Sequence, residues 1–578
     1  MTLRSVSGDG AVPDRETAER LVREGITRAG FLRLAGVAAL SVFTSPLLSG
    51  GIAQAAPAAG RPKMSPLDLH FQLSGRTRPF DLIAPAFLEI DLRFDGAGAD
   101  ADGDAASDAA SDDADGSDAQ LAHDGQTMSL MTSSDSGTMF RLGATPLAPY
   151  ASVIADVSGP PPPGASVLVG LVGAGTDRVV ARFSVGPDAK NGVVSIEVRR
   201  GGTTTQVAKG PADLSGPARY AFSVQENYIT ALVKRTASWI PVAHARLRGD
   251  PAVPATGLDL RDPKVLRTFS YGYGAAGRGA RVSLSAIQAG LFGQVGVRDP
   301  HVVAEPDGTP YVRDGKLYFT LTNAGLAFFQ AAHWAVWRLD LAEPTKLEHV
   351  SQLFFARDGV VLGDHAGQIV VDKRRGVFHL AMSGWGDFTG NGVHARYAST
   401  TEDVLSGAHV IATRQMPLPT TVSSWDPGMT RIRGRWYVSF VESPFQSPTF
   451  DFHPALARGP AGATDPVTSL TLVGADRTRH QTEGPILQEV GGDWYLLASD
   501  GDERRYPVYD LSMQLLGYLQ APYGTNIPHP MIVPLTARGR TRYLMITFDG
   551  TQYEEPVLGY GTHGDFLVMQ ALETDAGG

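Results

Sequence analysis

A two-strand unit that recurs five times in the C-terminal half constrains the fold of this chain more than any other feature. Each copy has a short apolar strand, a turn rich in Gly, Arg or Asp, and a second strand of mixed aromatic and aliphatic residues. The copies begin at Asp299, Asp364, Asp426, Glu483 and His529, about 45 to 65 residues apart. This spacing is close to that of four-stranded propeller blades, so the sequence predicts a five-bladed β-propeller over residues 291–578.

Three of the five copies carry, at one point of the unit, an acid that is followed by Pro or Gly. Asp299 and Asp426 are each followed by Pro, and Glu483 is followed by Gly and Pro, whereas the copies at Asp364 and His529 lack this pattern. Because the first strands of different blades converge on one axial pocket, we expect the three acids to meet there. The alternative is that these short sequences only form turns, as they often do.

The order Asp-Pro, Asp-Pro and Glu-Gly-Pro resembles the five-bladed propeller glycosidases of glycoside hydrolase family 43 and its relatives, over about residues 295–572. The resemblance implies an O-glycosyl hydrolase, of the inverting type, acting on furanose- or pentose-containing polysaccharide or oligosaccharide. It also implies that Asp299 is the general base, Glu483 the general acid, and Asp426 the residue that orients the acid and raises its pKa. The second copy lacks the Trp-Ala-Pro-Glu type of sequence that is common in that family.

Two histidines and one arginine are further candidates because they lie at or beside the start of a repeat. His365 and His529 could point toward the propeller axis, or they could be hydrogen-bonded core residues. Some members of the resembled family hold a calcium ion there through a histidine and waters, which makes His529 a candidate metal ligand. No cofactor is required by the expected chemistry. Arg298 could bind a substrate hydroxyl or pair with Asp299.

Aromatic side chains beside the predicted first strands could form an apolar platform for a sugar ring. Such side chains in propellers also often belong to the core. The candidates are Trp385, Trp425, Phe445 and Tyr523.

The N-terminal half predicts an antiparallel β-sandwich over residues 64–290. Short strands with Gly, Pro and Asp turns follow one another closely, and apolar and charged residues alternate through residues 88–94. The pattern resembles concanavalin-like jelly rolls, including the closing pair at residues 269–274 and 280–284. The expected fold class is therefore all-β, with a sandwich preceding a propeller.

An acidic stretch interrupts this sandwich. Between Asp95 and Asp118 there are nine Asp and no Lys or Arg, which accounts for most of the net charge of −10. This composition buries little apolar area, so it predicts a disordered insert over residues 95–136. A calcium-binding EF-hand is the alternative, but Ala105 and Ser111 stand where that loop needs Gly and Glu. Nucleic acid is not an expected partner, because no basic stripe is present.

The first 55 residues predict an export signal. Arg28 lies ahead of an apolar run over residues 34–48, and Ala53-Gln54-Ala55 matches a small-residue cleavage site. The element is similar to a twin-arginine signal, with Ala29 in place of the second arginine. The mature protein is then secreted or extracytoplasmic, without stable membrane insertion. A membrane anchor is the alternative, although the run is shorter than the ~20 residues of a spanning helix. The chain has no cysteine, so no disulfide contributes to its stability.

Three classes of function remain open from the sequence. The first is the glycosidase, and the second is a carbohydrate-binding protein without turnover. The third is a propeller glycosyl transferase or phosphorylase, and a phosphorylase needs a basic cluster for phosphate. Arg477, Arg479 and His480, just before Glu483, could supply that cluster.

Overall fold

A computed structural model describes residues 64–94, 120–124, 126–186, 189–389, 392–445, 451–537, 540–550 and 564–572. Almost all regular structure in these residues is antiparallel β-strand, so the predicted all-β class is confirmed. The predicted export signal and the acidic residues 95–118 lie outside the described part. No helix in that part is both long and apolar enough to cross a membrane. The helical segments are single turns at Pro66–Asp68, Ala189–Asn191, Pro263–Leu266 and Phe329–Ala331.

The N-terminal half is a sandwich of two antiparallel sheets. The first strand of the chain, β1 (Phe71–Thr77), belongs to a C-terminal sheet. The strands of the sandwich are β2 (Asp81–Arg93), β3 (Gln120–His123), β4 (Met128–Thr132), β5 (Thr138–Arg141), β6 (Tyr150–Val157), β7 (Ser166–Val172), β8 (Arg178–Ser184), β9 (Gly192–Arg200), β10 (Thr203–Ala212), β11 (Ala218–Gln225), β12 (Tyr228–Lys234), β13 (Trp239–Arg246), β14 (Ser270–Ala276) and β15 (Ala280–Gln294). One sheet has the order β10-β9-β8-β7-β14-β5. The other has the order β13-β12-β11-β6-β15-β4-β3, with β2 also paired to β15. Alternate apolar side chains of both sheets form one buried core between them.

The structure differs from the sequence prediction at the end of the acidic insert. Disorder was expected as far as residue 136, but β3 and β4 pair with each other, and β4 pairs with β15. Met128 and Leu130 are buried in the sandwich core, and Leu121 packs against it. Because apolar side chains return after residue 119, this segment can bury enough surface to be ordered.

The C-terminal half contains five sheets, one for each sequence repeat. Its strands are β16 (Val297–Val302), β17 (Val312–Arg313), β18 (Lys316–Asn323), β19 (His333–Asp340), β20 (Leu347–Arg357), β21 (Val360–Leu362), β22 (His365–Asp372), β23 (Val377–Ser383), β24 (Ala395–Thr400), β25 (Gly407–Ala412), β26 (Arg414–Gln415), β27 (Ser423–Ile432), β28 (Arg435–Phe445), β29 (Asp451–Ala461), β30 (Thr471–Ala475), β31 (Thr482–Val490), β32 (Asp493–Asp500), β33 (Tyr506–Tyr509), β34 (Leu515–Leu519), β35 (Met531–Ala537), β36 (Arg540–Asp549) and β37 (Asp565–Ala571).

Each of these sheets begins with the first strand of one repeat. Sheet 1 has the order β16-β18-β19-β20-β21. In addition, β17 pairs with β18, and β25 pairs with β20. Sheets 2, 3 and 4 are β22-β23-β24-β26, β27-β28-β29-β30 and β31-β32-β33-β34. The first strands β16, β22, β27, β31 and β35 contact one another in that order, and β35 also contacts β16. This succession brings the starts of all five repeats into one region.

Sheet 5 is completed by a strand from the other end of the chain. Its order is β1-β37-β36-β35, with Phe71 opposite Ala571. Asp565 of β37 accepts a hydrogen bond at 2.6 Å from Arg78, just after β1. Residues 71–77 therefore join the C-terminal sheets, although our sequence boundaries place them in the sandwich range. The last repeat supplies only three described strands, and the N-terminal strand covers the edge that they leave.

Candidate active site

The first strands of sheets 1 to 4 share one backbone irregularity at the end where the repeats begin. One residue in each adopts the left-handed conformation, with φ of 52° at Asp299, 57° at Ala366, 48° at Asp426 and 57° at Gly484. The strand pairing shifts at each of these points. Such bulges re-aim side chains. Three of these residues are followed by proline, which has no backbone N–H. The bulge tolerates proline because a residue in a bulge need not donate a hydrogen bond to the neighbouring strand.

The pairing places Glu483 one residue earlier than the two aspartates. Glu483 lies opposite Ser499, just as Arg298 lies opposite Thr322, and the left-handed position of sheet 4 belongs to Gly484. The expectation that all three acids occupy one position of the repeat therefore holds for the two aspartates only. The extra glycine in Glu-Gly-Pro causes the offset, since glycine adopts the left-handed conformation without strain.

The three acids nevertheless come together around the ring of His529. Single carboxylate oxygens of Asp426 and Glu483 and one ring nitrogen of His529 all lie within 4.8 Å of one another. The His529 Nε2 atom is 3.4 Å from Asp426 Oδ2 and 3.7 Å from Asp299 Oδ1. Asp299 and Asp426 are nearly buried, whereas Glu483 keeps partial contact with solvent. Glu483 is thus the acid most accessible to a ligand.

Each carboxylate is held by a specific donor. The Arg298 Nε atom is 3.4 Å from Asp299 Oδ1. The Gly484 backbone N–H donates to Asp426 Oδ2 at 3.1 Å. The Trp425 indole N–H donates to Glu483 Oε1 at 3.2 Å. Arg298 in sheet 1 and Trp425 in sheet 3 occupy the same position of the repeat as Glu483 in sheet 4. This position therefore contributes one side chain from each of these three sheets to the cluster of acids around His529.

These surroundings separate the protonation states of the acids. Burial alone would raise the pKa of Asp299, but the Arg298 guanidinium holds that pKa below its ordinary value of 3.8. Burial raises the pKa of Glu483 to about 7; Arg298 opposes this increase and the Asp299 charge adds to it. Burial, and then the charges of Glu483 and Asp299, raise the pKa of Asp426 well above its ordinary value. The cluster therefore combines Asp299, whose ionised form is favoured, with Asp426 and Glu483, whose protonated forms are favoured.

The role predicted for Asp426, to raise the pKa of Glu483 through its charge, stays a prediction. Burial and the Asp299 charge raise the pKa of Glu483, and burial and then the Glu483 charge raise the pKa of Asp426, so repulsion between Asp426 and Glu483 favours protonation of the pair. Burial and neighbouring charges raise the pKa of Asp426, and its Oδ2 atom accepts a hydrogen bond from the Gly484 N–H while lying near His529. Asp426 therefore links sheets 3, 4 and 5 at the cluster.

The two candidate histidines are buried and neutral at neutral pH. Burial lowers the pKa of His365 and of His529 to about 4 in each case. His365 Nδ1 lies 3.3 Å from the Thr322 hydroxyl, and its Nε2 lies 3.2 Å from the Phe329 carbonyl oxygen. With both ring nitrogens in such contacts, His365 fits the expected hydrogen-bonded core role at least as well as a substrate-binding role.

The aromatic candidates divide into three groups. Trp385 and Trp425 are buried with ring centroids 5.5 Å apart, and Trp425 contacts Glu483. The Tyr523 hydroxyl accepts from Ser499, the residue opposite Glu483, at 3.0 Å. Phe445 is half exposed at the end of β28 and lies outside the cluster of apolar residues around Trp385.

Sequence reasoning missed several residues around Trp385. These residues are Phe329, Phe388, Phe452 and Ile527. They lie in connecting loops or on an outer strand, and the repeat pattern covers only the first two strands of each sheet. No spacing signal could have identified them.

We expect Gly484→Ala to destabilise the protein strongly. A Cβ atom there would lie 2.4 Å from the His529 ring, in addition to the strain of a side chain at a φ of 57°. Gly492→Ala in the adjoining turn is the matched control, because its φ is 87° but no atom lies within 4 Å of the added Cβ. Thermal unfolding should show a loss of about 1 kcal/mol for the control and at least about 3 kcal/mol for Gly484→Ala. Equal losses would contradict the packing of His529 on Gly484.

Comparisons with known proteins give structural matches only. No family model matches the chain, and no curated protein matches it. An inulosucrase from Halalkalicoccus jeotgali bound to kestose matches 48% of this chain and 86% of its own, with 14% identity and a TM-score of 0.36. A GH43_1 enzyme from Xanthomonas citri complexed with xylose matches 49% and 88%, with 18% identity and a TM-score of 0.34. A family 117 glycoside hydrolase from Zobellia galactanivorans matches 48% and 84%, with 13% identity and a TM-score of 0.33.

Proposed function

We propose that this protein is an inverting glycoside hydrolase with Asp299 as general base and Glu483 as general acid. The observation that carries the proposal is that three carboxyl groups meet around His529, in surroundings that shift the pKa values of Asp299 and Glu483 in opposite directions. The pKa of Asp299 is held low, and that of Glu483 is raised to about 7. Hydrolysis with inversion needs one carboxylate and one carboxylic acid on opposite sides of the scissile bond. Two acids whose environments push their pKa values apart fit that division of work.

In the proposed reaction the Asp299 carboxylate takes a proton from water as the oxygen attacks the anomeric carbon. Glu483 gives its proton to the leaving oxygen, and this transfer is favoured by its partial exposure. Arg298 keeps Asp299 ionised, and the Trp425 N–H orients the Glu483 carboxyl group. Asp426 positions the backbone of Gly484, next to the acid, through the 3.1 Å hydrogen bond.

The phosphorylase alternative loses support because the basic residues before Glu483 are engaged with acids. Arg477 donates to Glu442 at 2.8 Å, and His480 Nδ1 lies 2.9 Å from Asp451 Oδ1. Arg479 is largely buried and donates to Asp500 at 2.9 Å. A phosphate ion would have to compete with these carboxylates, so water is the favoured acceptor.

The substrate class and the ion are proposed from the family resemblance, and the location is proposed from the predicted export signal. We propose a furanose- or pentose-containing polysaccharide or oligosaccharide as substrate, and secretion of the mature protein. A structural calcium ion is also part of the proposal, and one observation bears on it. The His529 Nε2 atom is buried without a hydrogen-bond partner among the described residues, and it faces two carboxylates. His529, beside Asp426, would face such a cation, and Glu483 would not be one of its ligands because the general acid must carry a proton.

A substrate screen tests the proposed function. Aryl furanosides and pyranosides are incubated with the wild type and with a variant that carries both Asp299→Asn and Glu483→Gln. We expect at least one furanoside or pentopyranoside to be hydrolysed by the wild type only. Sugar binding without hydrolysis would favour the carbohydrate-binding alternative. Transfer to a sugar or phosphate in preference to water would favour the transferase or phosphorylase.

The pH profile should have an alkaline limb set by Glu483. Because the acid must be protonated, kcat/KM should fall as the pH rises through about 7, the pKa of Glu483. The Asp299 carboxylate should stay active until the pH falls below its ordinary pKa of 3.8. Trp425→Phe removes a donor that stabilises ionised Glu483, so the alkaline limb should move to higher pH.

Trp436→Phe is the control for this shift. Trp436 is buried in the same sheet, and its indole nitrogen has no hydrogen-bond partner among the described residues. The alkaline limb of the control should coincide with that of the wild type. A limb that stays in place in Trp425→Phe, or moves equally in both variants, would show that Glu483 does not set it.

A further inference from the structure

The N-terminal sandwich packs against sheet 1 at the end of that sheet where the active site lies. Tyr150 and Phe292 of the sandwich share one buried apolar cluster with Leu326 and Phe354 of the sheet 1 region. Polar contacts join the same surfaces: the Leu326 N–H donates to Gln225 Oε1 at 3.3 Å. The loop of residues 324–332, which follows β18, is thus fastened to the sandwich.

Tyr150 makes the most specific of these contacts. Its side chain is fully buried on β6, and its hydroxyl donates to the Gln330 carbonyl oxygen at 2.8 Å. Its ring stacks on Phe354 with centroids 5.2 Å apart. A Cβ atom on Gly363 would lie 2.5 Å from the Tyr150 hydroxyl oxygen. The turn between β21 and β22 therefore leaves room for the Tyr150 hydroxyl only because residue 363 is glycine.

The loop held by Tyr150 carries one side of the candidate site. Phe329 lies next to Gln330, with its ring centroid 4.8 Å from that of Trp385 and 5.8 Å from that of Phe388. The Gln330 side-chain amide donates to the Phe388 carbonyl oxygen. We call Phe329, Trp385 and Phe388 the aromatic wall. The Tyr150 hydroxyl therefore holds the backbone segment that carries Phe329, and the Gln330 side chain joins this segment to the loop that carries Phe388.

The aromatic wall continues to the proposed general acid. Trp385 lies 5.5 Å from Trp425 between ring centroids, and Trp425 donates its indole N–H to Glu483. We propose that Tyr150, a sandwich residue, is a positioning residue that fixes the aromatic wall against which the carbohydrate packs. This inference rests on the proposed function for the identity of the ligand. It assigns the sandwich a part in substrate binding, exerted through the 324–332 loop.

The kinetic test compares two changes that each remove one buried hydroxyl from the sandwich. Tyr150→Phe should raise KM about three- to tenfold with little change in kcat, since the carboxylates are untouched. Tyr220→Phe is the control: Tyr220 is fully buried and stacked on Phe183, and its hydroxyl has no partner among the described residues. Its KM should equal that of the wild type. In a Phe329→Ala background, Tyr150→Phe should add little, because both changes act on the same loop.

A second measurement does not depend on activity. Acrylamide quenching of Trp385 is obtained as the difference between each protein and its Trp385→Phe derivative. Quenching of Trp385 should increase in Tyr150→Phe and not in Tyr220→Phe. Unchanged Trp385 quenching in Tyr150→Phe would overturn the inference, as would an unchanged KM in an active enzyme. A wild type without hydrolysis would instead count against the proposed function, and the quenching result would still decide the role of Tyr150.

Discussion

Asp299→Asn should abolish hydrolysis of every substrate that the wild type accepts. Loss of a general base costs about 10²- to 10⁴-fold in rate, and no leaving group compensates for a water that is not deprotonated. Asparagine has nearly the same size and also adopts the left-handed conformation that residue 299 requires, so the fold should persist. Steady-state kinetics on an aryl glycoside and on a natural oligosaccharide provide the measurement. Added azide, a nucleophile that needs no base, should restore part of the rate with the aryl glycoside.

Asp314→Asn is the control for this variant. Asp314 belongs to the β17–β18 turn of the same sheet and has the same φ of 52°. Its side chain is exposed and lies at the opposite end of β18 from the site. The control should keep wild-type activity. Wild-type rates in a folded Asp299→Asn protein would remove Asp299 from the mechanism.

Glu483→Gln should discriminate between substrates by their leaving groups. A poor leaving group needs a proton from the acid, so hydrolysis of a natural glycosidic bond should fall by about 10²- to 10⁴-fold. An aryl glycoside with an activated phenol leaves with little acid assistance and should lose far less. The ratio of kcat/KM for the two substrates is the measurement. The pH profile on the aryl substrate should also lose its alkaline limb near 7, since glutamine has no proton to titrate.

Glu489→Gln is the matched control, because Glu489 is on the same strand but is exposed to solvent. This variant should leave both substrates unaffected. An equal loss on both substrates in Glu483→Gln would mean that Glu483 binds or supports the fold and does not act as the acid.

The sequence identified the repeat, the all-β class and the three acids because each depends on a local pattern. Alternating apolar residues define strands, and the recurrence of the unit defines the five sheets. Asp299 and Asp426 could be matched because the same dipeptide forms the same bulge in β16 and β27. These features require no knowledge of distant contacts.

Three features that the sequence did not predict depend on contacts between distant segments. The offset of Glu483 arises from the backbone conformation of Gly484, which the ring of His529 packs against. The raised pKa of Asp426 is caused by burial and by acids from two other sheets. The position of β1 in sheet 5 depends on a partner almost 500 residues away. A pattern within one strand contains no information on such partners.

The anomeric configuration of the first product, followed by ¹H NMR from the start of the reaction, tests the proposed roles of Asp299 and Glu483. The wild type and a substrate of known anomeric form are mixed, and the newly released sugar is observed before mutarotation equilibrates it. We expect the first product to have the anomeric configuration opposite to that of the substrate, because water activated by Asp299 attacks from the face opposite the bond that Glu483 protonates. Retention of configuration would contradict the proposed base and acid roles. Failure to release any sugar from furanosides and pyranosides alike would contradict the assignment of a hydrolase.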